Sequence, residues 1–439
     1  MKHALLAFSA LCSCVAEPAL ADDIRDSIAS DMPRLMAIYR DLHANPELSF
    51  QEVRSAKIMA DAARKAGFEV TEGVGKTGVV AVMKNGPGPT VLIRADMDAL
   101  PVIEQTGLPY ASKKRGVSTA GVESGIMHAC GHDTHMTGWI GTAKQMAARK
   151  AEWSGTLVMI GQPAEELGLG SRAMLDDGLY TRFPKPDYAL AFHVGSGPAG
   201  AVAVSSGWAL ANADSVDIDI FGIGGHGSMP QLAKDPIVLA SAIVMRLQTI
   251  VSREIDAQDA AVVTVGSFHS GAKHNIIPDK AHLQLTVRSY SDETRKKLLD
   301  AIERIVKGEA IAAGIPEKLM PVVKIKEPFT RSTWNTPEFA EEFKTQMTAA
   351  LGEKRSLSVP AVMAAEDFGE YRRADEKGIK SLMFWVGGFT PEALAEAEAR
   401  GIPIAASHAP FWSPDPVAVV STGAEALTRT ALRIMAKPQ

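Results

Sequence analysis

Cysteine is scarce in this chain, and neither sign of charge dominates. Three cysteines stand among 439 residues, and two of them, Cys12 and Cys14, fall near the very start. A formal net charge of -5 offers no general attraction to nucleic acid or to an anionic membrane surface. There is no block of like charges, no low-complexity run and no internal repeat. A G-x-S-x-G elbow occurs nowhere, which argues against a serine hydrolase of the common α/β type. No membrane span is expected, because the apolar run from Ala4 to Val15 is too short to cross a bilayer. What remains is a soluble globular protein whose partner is a small molecule or a short peptide.

That apolar run has a different use. Lys2 precedes it, and Ala19-Leu20-Ala21 follows it just ahead of Asp22 and Asp23, which is the layout of a secretory signal with an A-x-A cleavage site. Residues 1–21 are therefore expected to be removed on export to the periplasm or the exterior. Leu11-Cys12-Ser13-Cys14 also has a faint likeness to a lipoprotein box, which would anchor the chain at Cys14, and a buried first helix is the remaining alternative. Cleavage after Ala21 leaves Cys130 as the single thiol, so no intramolecular disulfide can form and this cysteine is either a reactive liability or a ligand.

The length exceeds what one hydrophobic core usually organises, so two domains are expected. Ile24 to Leu42 carries apolar residues at helical spacing, and a second helix fits the stretch from Ser49 to Ala66. Short β-rich runs follow at Gly78 to Met83, Thr90 to Arg94, Thr156 to Ile160 and Asp187 to Phe192, with a helix expected over Thr134 to Arg149. Strands alternating with helices predict an α/β catalytic domain with a mostly parallel central sheet. From Trp208 the pattern changes. Val216 to Ile220 alternates apolar and polar residues, Pro236 to Val251 reads as a long helix, Val262 to Phe268 and Ala281 to Val287 read as half-exposed strands, and Lys297 to Ala313 as another helix. Such alternation suits an antiparallel sheet with one open face. Residues 208–324 are thus expected to form an inserted α+β domain between two parts of the catalytic domain, 22–207 and 325–439.

Two glycine-rich stretches imitate nucleotide sites. Gly222 to Gly227 matches G-x-G-x-x-G after a predicted strand, which raises a nicotinamide-dependent oxidoreductase as a remote alternative. Against it, Asp217 and Asp219 stand where a central parallel strand should be apolar, and Pro230 disrupts the helix that should follow. Gly73 to Thr77 looks like the end of a phosphate-binding loop, but the pattern's first glycine would fall on Val70, so a turn between two strands is the expectation.

The chemistry concentrates elsewhere. In Met127 to Met136 one thiol, three imidazoles and a carboxylate stand close together. Cys130 and His132 are two residues apart, so an extended or looped backbone can point both at one borderline-soft divalent ion. His128 and His135 read as supporting or loop residues. Glu165 and Glu166 follow the apolar strand at 156–160, which is where open α/β sheets build their sites. His193 likewise ends a strand, Asp96 and Asp98 follow Arg94 at the end of another, and His408 stands in a late loop.

"RADMDALP", "MHACGHDTH", "QPAEE", "AFHV", "GGHGSMP", "NIIPD" and "AAEDF", in this order, resemble the two-metal aminoacylase and carboxypeptidase family. The likeness is greatest to its amidohydrolase branch of hippurate hydrolases, N-acyl-amino-acid amidohydrolases and auxin-conjugate hydrolases. That resemblance implies two divalent ions, zinc, manganese, nickel or cobalt, held by Cys130 as the shared ligand with His132, Glu166, His193 and His408. It implies Glu165 as general base. It also implies a lid and homodimerisation role for the inserted domain, with His226 reaching the reaction oxyanion, possibly across the dimer, and Asn275 and Arg288 binding the substrate carboxylate region. Where the carboxypeptidase branch has His-x-Asp, this chain has Asp96-Met97-Asp98, so one imidazole is absent. Glu366 and Asp367 either orient site residues or substrate, or serve structural hydrogen bonding. The expected activity is hydrolysis of the amide of an N-acyl amino acid, with a metallocarboxypeptidase or dipeptidase as the neighbouring alternative.

Overall fold

The computed structural model describes residues 23–437; the expected signal segment and the Cys14 anchor lie outside them. The first long helix, Asp23–Ala44, buries Ile28, Leu35, Met36, Tyr39 and Leu42 on one stripe, and Val53–Lys65 follows it. An eight-stranded sheet forms the centre of the catalytic part, and its four middle strands, Gly155–Gln162, Thr90–Asp96, Tyr188–Pro198 and Lys380–Phe389, run parallel in that spatial order. These strands are buried on both faces, as a helix-covered parallel sheet requires. Helices His132–Ala148, Pro416–Ile434 and the first helix pack on one another along one face.

Both edges depart from parallel order: Val202–Val204 runs antiparallel to Lys380–Phe389 at one, and a hairpin lies at the other. Gly78–Asn85 runs antiparallel both to Glu69–Val74 and to Gly155–Gln162. The cause is the tight turn at 75–77, the stretch that imitates a phosphate loop: with so few residues between two strands only a hairpin can form. The helix expected from Thr134 begins at His132 instead, which places an expected ligand on its first turn.

Between Asp214 and Ile325 a four-stranded antiparallel sheet, ordered Ala261–Ser270, Lys280–Ser289, Asp214–Phe221, Val322–Ile325, carries two helices, Pro236–Arg253 and Asp292–Ala312. Asp235 caps the first helix by accepting from the Ile237 and Val238 N–H groups, and Ser291 caps the second through the Thr294 N–H. Val216, Ile218 and Ile220 face these helices in a separate core. Asp217 and Asp219 face outward, paired with Lys326 and with Lys324 and His282. Gly222–Gly227 therefore follows an antiparallel strand and leads into the short pairing Gly225–His226 with Ile276–Ile277 and a 3-10 turn at Pro230–Leu232. The parallel strand and opening helix of a dinucleotide site are not there, and the oxidoreductase alternative falls. The two connections to the catalytic part run side by side, with Ala213 and Thr330 exchanging backbone hydrogen bonds of 2.9 and 3.2 Å. Pro236–Arg253 is long and apolar enough to cross a membrane by composition; here it lays Leu239, Ile243, Leu247 and Ile250 on the core beneath this four-stranded sheet.

Candidate metal centre and cleft

The residues expected to act together come from the carboxyl ends of the parallel strands and the loops beyond them, the region where open α/β sheets form their sites. Asp96 ends one strand, Glu165–Leu167 forms a 3-10 turn just past another, and His193 sits within a third. Gly131 separates Cys130 from His132 in the left-handed region, φ 85°. A Cβ there would lie 2.5 Å from Val194 Cγ1, so glycine is required by both conformation and space.

Five expected ligands converge. Donor atoms of Cys130, Glu166 and His408 lie within 4.8 Å of one another. His193 Nε2 is 3.5 Å from Cys130 Sγ, and His132 Nε2 is 3.9 Å from Glu166 Oε1. The thiol thus lies beside His193 on one side and the Glu166–His408 pair on the other, a position that suits a shared ligand. His132 Nδ1 donates to the Asp98 carbonyl at 2.8 Å and His193 Nδ1 to the Val194 carbonyl at 2.7 Å. Both rings are thereby fixed with Nε2 as the free lone pair, as metal-binding histidines commonly are. His408 takes a left-handed φ of 71°, rare for a residue with a Cβ.

The surroundings show what the donors lack. His132 Nε2 and Glu166 Oε1 are buried with no hydrogen-bond partner among the described residues. Burial and the nearby Glu166 and Glu165 push the Cys130 thiol well above its ordinary range. Burial, with Glu366 and Glu166 alongside, does the same to Glu165, and it pushes Glu166 up to about 8 against the pull of His132. A cluster of buried carboxylates and one sulfur, with lone pairs left without partners among the described residues, fits divalent cations.

His135 is excluded as a ligand by its own hydrogen bonds. Its Nδ1 donates to Asp96 Oδ1 at 2.6 Å and its Nε2 accepts from the Val194 N–H at 2.9 Å. His128 is buried, with neither ring nitrogen partnered among the described residues. Asp98 accepts from the Glu165 and Glu166 N–H groups, each at 3.1 Å. Asp96 lies 3.7 Å from His132 Nε2. Burial alone would raise its carboxyl, but Arg94, His132 and His135 hold it well below the usual carboxylate range.

Arg94 is the residue whose role the sequence concealed. Fully buried, it donates to Gln162, Asp96 and Glu366 at 2.9, 2.5 and 2.7 Å. The signal was a lone cation in the apolar strand Val91-Leu92-Ile93-Arg94-Ala95, a position that admits charge only when it is paired. Glu366 takes the arginine and lines the cleft. Asp367 is held by Gln162 at 2.6 Å and by the Ser171 N–H and hydroxyl at 2.9 and 3.0 Å, so its part is structural.

Glu165, Glu166, Cys130, His193 and His408 open on one cleft of about 1030 Å3 that also meets Arg288 from the four-stranded sheet, Lys326 and Phe329 from the connection after it, and an apolar wall of Ala203, Leu357, Val359, Val362 and Trp385. Arg288 donates through Nε to Thr286 at 3.1 Å, and no carboxylate pairs with its guanidinium among the described residues. His226 and Asn275 do not join this cleft. Their backbone segments pair instead: His226 lies opposite Ile276, the Gly227 N–H donates to the Asn275 carbonyl at 2.9 Å, and His226 is exposed with Nδ1 against Ser228.

Comparison with known proteins now decides the family. The profile of the peptidase family M20/M25/M40 matches residues 92–432. The chain belongs to that family. It is 41% identical over 335 residues to a hippurate hydrolase of Campylobacter jejuni, covering 76% of this chain and 83% of the relative. It is 36% identical over 369 residues to an N-acetyldiaminopimelate deacetylase of Bacillus subtilis, covering 83% and 92%. A thermostable carboxypeptidase of Saccharolobus solfataricus is also 36% identical, over 80% of this chain and 86% of that one. Among solved structures, a dinuclear metal-binding M20 peptidase of Bacillus subtilis superposes with a TM-score of 0.73 at 30% identity, covering 93% of this chain and 99% of the other. The chain is a metal-dependent amidohydrolase of the M20 family.

Proposed function

We propose that this enzyme is an exported hydrolase of N-acyl amino acids, of the hippurate type, releasing a carboxylic acid and an amino acid. The observation that carries the reading is the cleft itself, which joins the ligand cluster to an arginine without a carboxylate partner and to an apolar wall. The Arg288 guanidinium suits the substrate's α-carboxylate, since its planar fork can donate two parallel hydrogen bonds. Leu357, Val359, Val362 and Trp385 suit an apolar acyl group.

Cys130, His132, Glu166, His193 and His408 would hold two divalent cations, which supply a water of lowered pKa and polarise the scissile carbonyl. Glu165 takes a proton from the attacking water and returns it to the leaving amine. Its neighbours suit that role: the fold holds its backbone through Asp98 while leaving its carboxyl facing the ligand cluster. A thiolate with imidazoles suits zinc, the resemblance to the auxin-conjugate branch points as well to manganese, nickel or cobalt, and elemental analysis of the purified enzyme decides among them.

In this reading residues 208–324 act as lid and dimer contact. Ala261–Ser270 is a ten-residue edge strand, a feature that natural proteins usually cover. Met229, Leu232, Val238 and Met245 are exposed apolar residues at and beside the long lid helix. A second copy seated there would bring its His226 and Asn275 to this cleft, accounting for their absence from their own.

Turnover of N-benzoylglycine, N-acetyl amino acids and dipeptides tests the substrate class: acylated amino acids should be hydrolysed well ahead of dipeptides. A reversed order would make the enzyme a dipeptidase or carboxypeptidase. The mass of the mature protein from the native host tests export, which requires a chain beginning at Asp22.

A further inference from the structure

The backbone that carries Glu165 and Glu166 is clamped from an unexpected quarter. Three successive N–H groups, those of Ala164, Glu165 and Glu166, all donate to carboxylates, the last two to Asp98 and the first to Glu52 Oε1 at 2.8 Å. Ala164 needs such a hold. It takes φ 48° and ψ 41°, the left-handed region that a residue with a Cβ rarely enters, and it does so immediately before the expected base. Left-handed Ala164 turns its chain out of the strand and sets the direction in which the next two side chains leave it.

Glu52 is completely buried and is itself held by Thr77 Oγ1, which donates to Oε2 at 2.5 Å, and by the Phe50 N–H, which donates to Oε1 at 2.8 Å. Ser49 Oγ donates to Asp98 Oδ2 at 2.6 Å. Six residues before Ser49, His43 Nδ1 meets Asp133 Oδ2 at 2.7 Å, next to His132. Glu47 caps the helix Val53–Lys65 by accepting from the Arg54 and Ser55 N–H groups at 2.9 and 2.7 Å. The short segment His43-Ala44-Asn45-Pro46-Glu47-Leu48-Ser49-Phe50-Gln51-Glu52 thus reaches three of the loops around the centre, at Asp98, Asp133 and Ala164. It lies ahead of the stretch matched by the family profile, 92–432, and it contributes no atom to the cleft lining.

We propose that Glu52 is a positioning residue for the hydrolytic step: by holding the Ala164 N–H it keeps the turn that aims Glu165 and Glu166, with Ser49 doing the same through Asp98. The inference rests on Glu165 and Glu166 acting as base and ligand, and it has a readout that does not. Since the role is geometric, the amide of Gln can keep it, with Oε1 accepting from Ala164 and Nε2 donating to the Thr77 hydroxyl.

Three variants of the full-length metal-loaded enzyme test this: Glu52→Ala, Glu52→Gln and Ser49→Ala. Amide hydrogen exchange should rise in the peptide spanning 163–170 for Glu52→Ala and stay near wild type for Glu52→Gln. With N-benzoylglycine as substrate, kcat should fall about 10–100-fold for Glu52→Ala, the usual range for residues that orient a metal site from behind, while KM moves little and Glu52→Gln restores most of the rate. Unchanged exchange at 163–170 in Glu52→Ala, or equal losses of kcat in the Ala and Gln variants, overturns the proposal. Should Glu52→Ala fail to fold, Ser49→Ala decides. It must raise exchange at 163–170 while leaving the lid strands unaffected, and no rise there counts as refutation. A wild-type enzyme that leaves every N-acyl amino acid intact would count against the proposed function instead, leaving the exchange result to stand alone.

Discussion

The turn at Glu165 and the turn at His226 are both short polar loops following a strand, yet their physical states are opposite. In the first, each of three successive N–H groups is tied to a buried carboxylate, and the side chains face other buried donors. In the second, His226 is exposed and, among the described residues, its ring hydrogen-bonds only to the neighbouring Ser228. The first turn is complete within one chain, and in the proposed reading a second copy completes the other. What a motif's residues are and what completes them are therefore separate questions, and only the first is answered within one chain.

The largest effect should come from undoing the buried charge balance behind the first turn. Arg94→Ala strips Asp96, Glu366 and Asp367 of their cation, and breaking such a buried network costs about 3–5 kcal/mol. Thermal unfolding should show a sharply lowered midpoint or no soluble protein, and a near-native midpoint would mean the arginine is dispensable. Gly131→Ala comes next, because it forces a Cβ against Val194 in a left-handed backbone, for a cost of about 1–3 kcal/mol. Denaturant midpoints would register it.

The second turn can be probed by complementation. Glu165→Gln and His226→Ala should each be inactive alone, but their equimolar mixture, allowed to exchange subunits, should regain about a quarter of wild-type activity. In a two-fold dimer, half the molecules are mixed and each then holds one intact site. No recovery, with dimers confirmed by light scattering, would return His226 to its own chain or to no role.

The last effect concerns pH. Burial alone would lower the His43 ring, but Asp133 and Glu104 against it raise it to about 10, with Tyr39 and Tyr110 as the other ring neighbours. The ordinary value is 6.5. A raised histidine stabilises fully below its unfolded value and loses that contribution as pH climbs through the folded one. The stability gap between wild type and His43→Gln should therefore be widest below pH 6.5 and close toward about pH 10. A gap that widens with rising pH would reverse the sign of the assignment.

Much of this was legible in the residues. Periodicity located the long helices and lid strands because apolar spacing and burial coincide there, as at Val216, Ile218 and Ile220. Glu166 and His193 were legible because strand ends are where such sheets place chemistry, the full set with Cys130, His132 and His408 came from the family resemblance of the motifs, and the structure brings their donors together. Arg94 and Glu52 were not, because their roles depend on contacts across 272 and 112 positions of sequence, to Glu366 and Ala164. Spacing cannot show such contacts. The edge strand Val322–Ile325 was missed for a related reason: its four residues pair only with Asp214–Phe221, a hundred positions away, and carry too few side chains to display a period.

The central claim is that one carboxylate works beside a pair of bound cations without holding them. Metal content and turnover of Glu165→Gln, measured on the same preparation, test it directly. The account predicts about two divalent ions per subunit, as in wild type, with kcat lowered at least 10²–10⁴-fold. Wild-type turnover, or loss of the metal along with the activity, would contradict it.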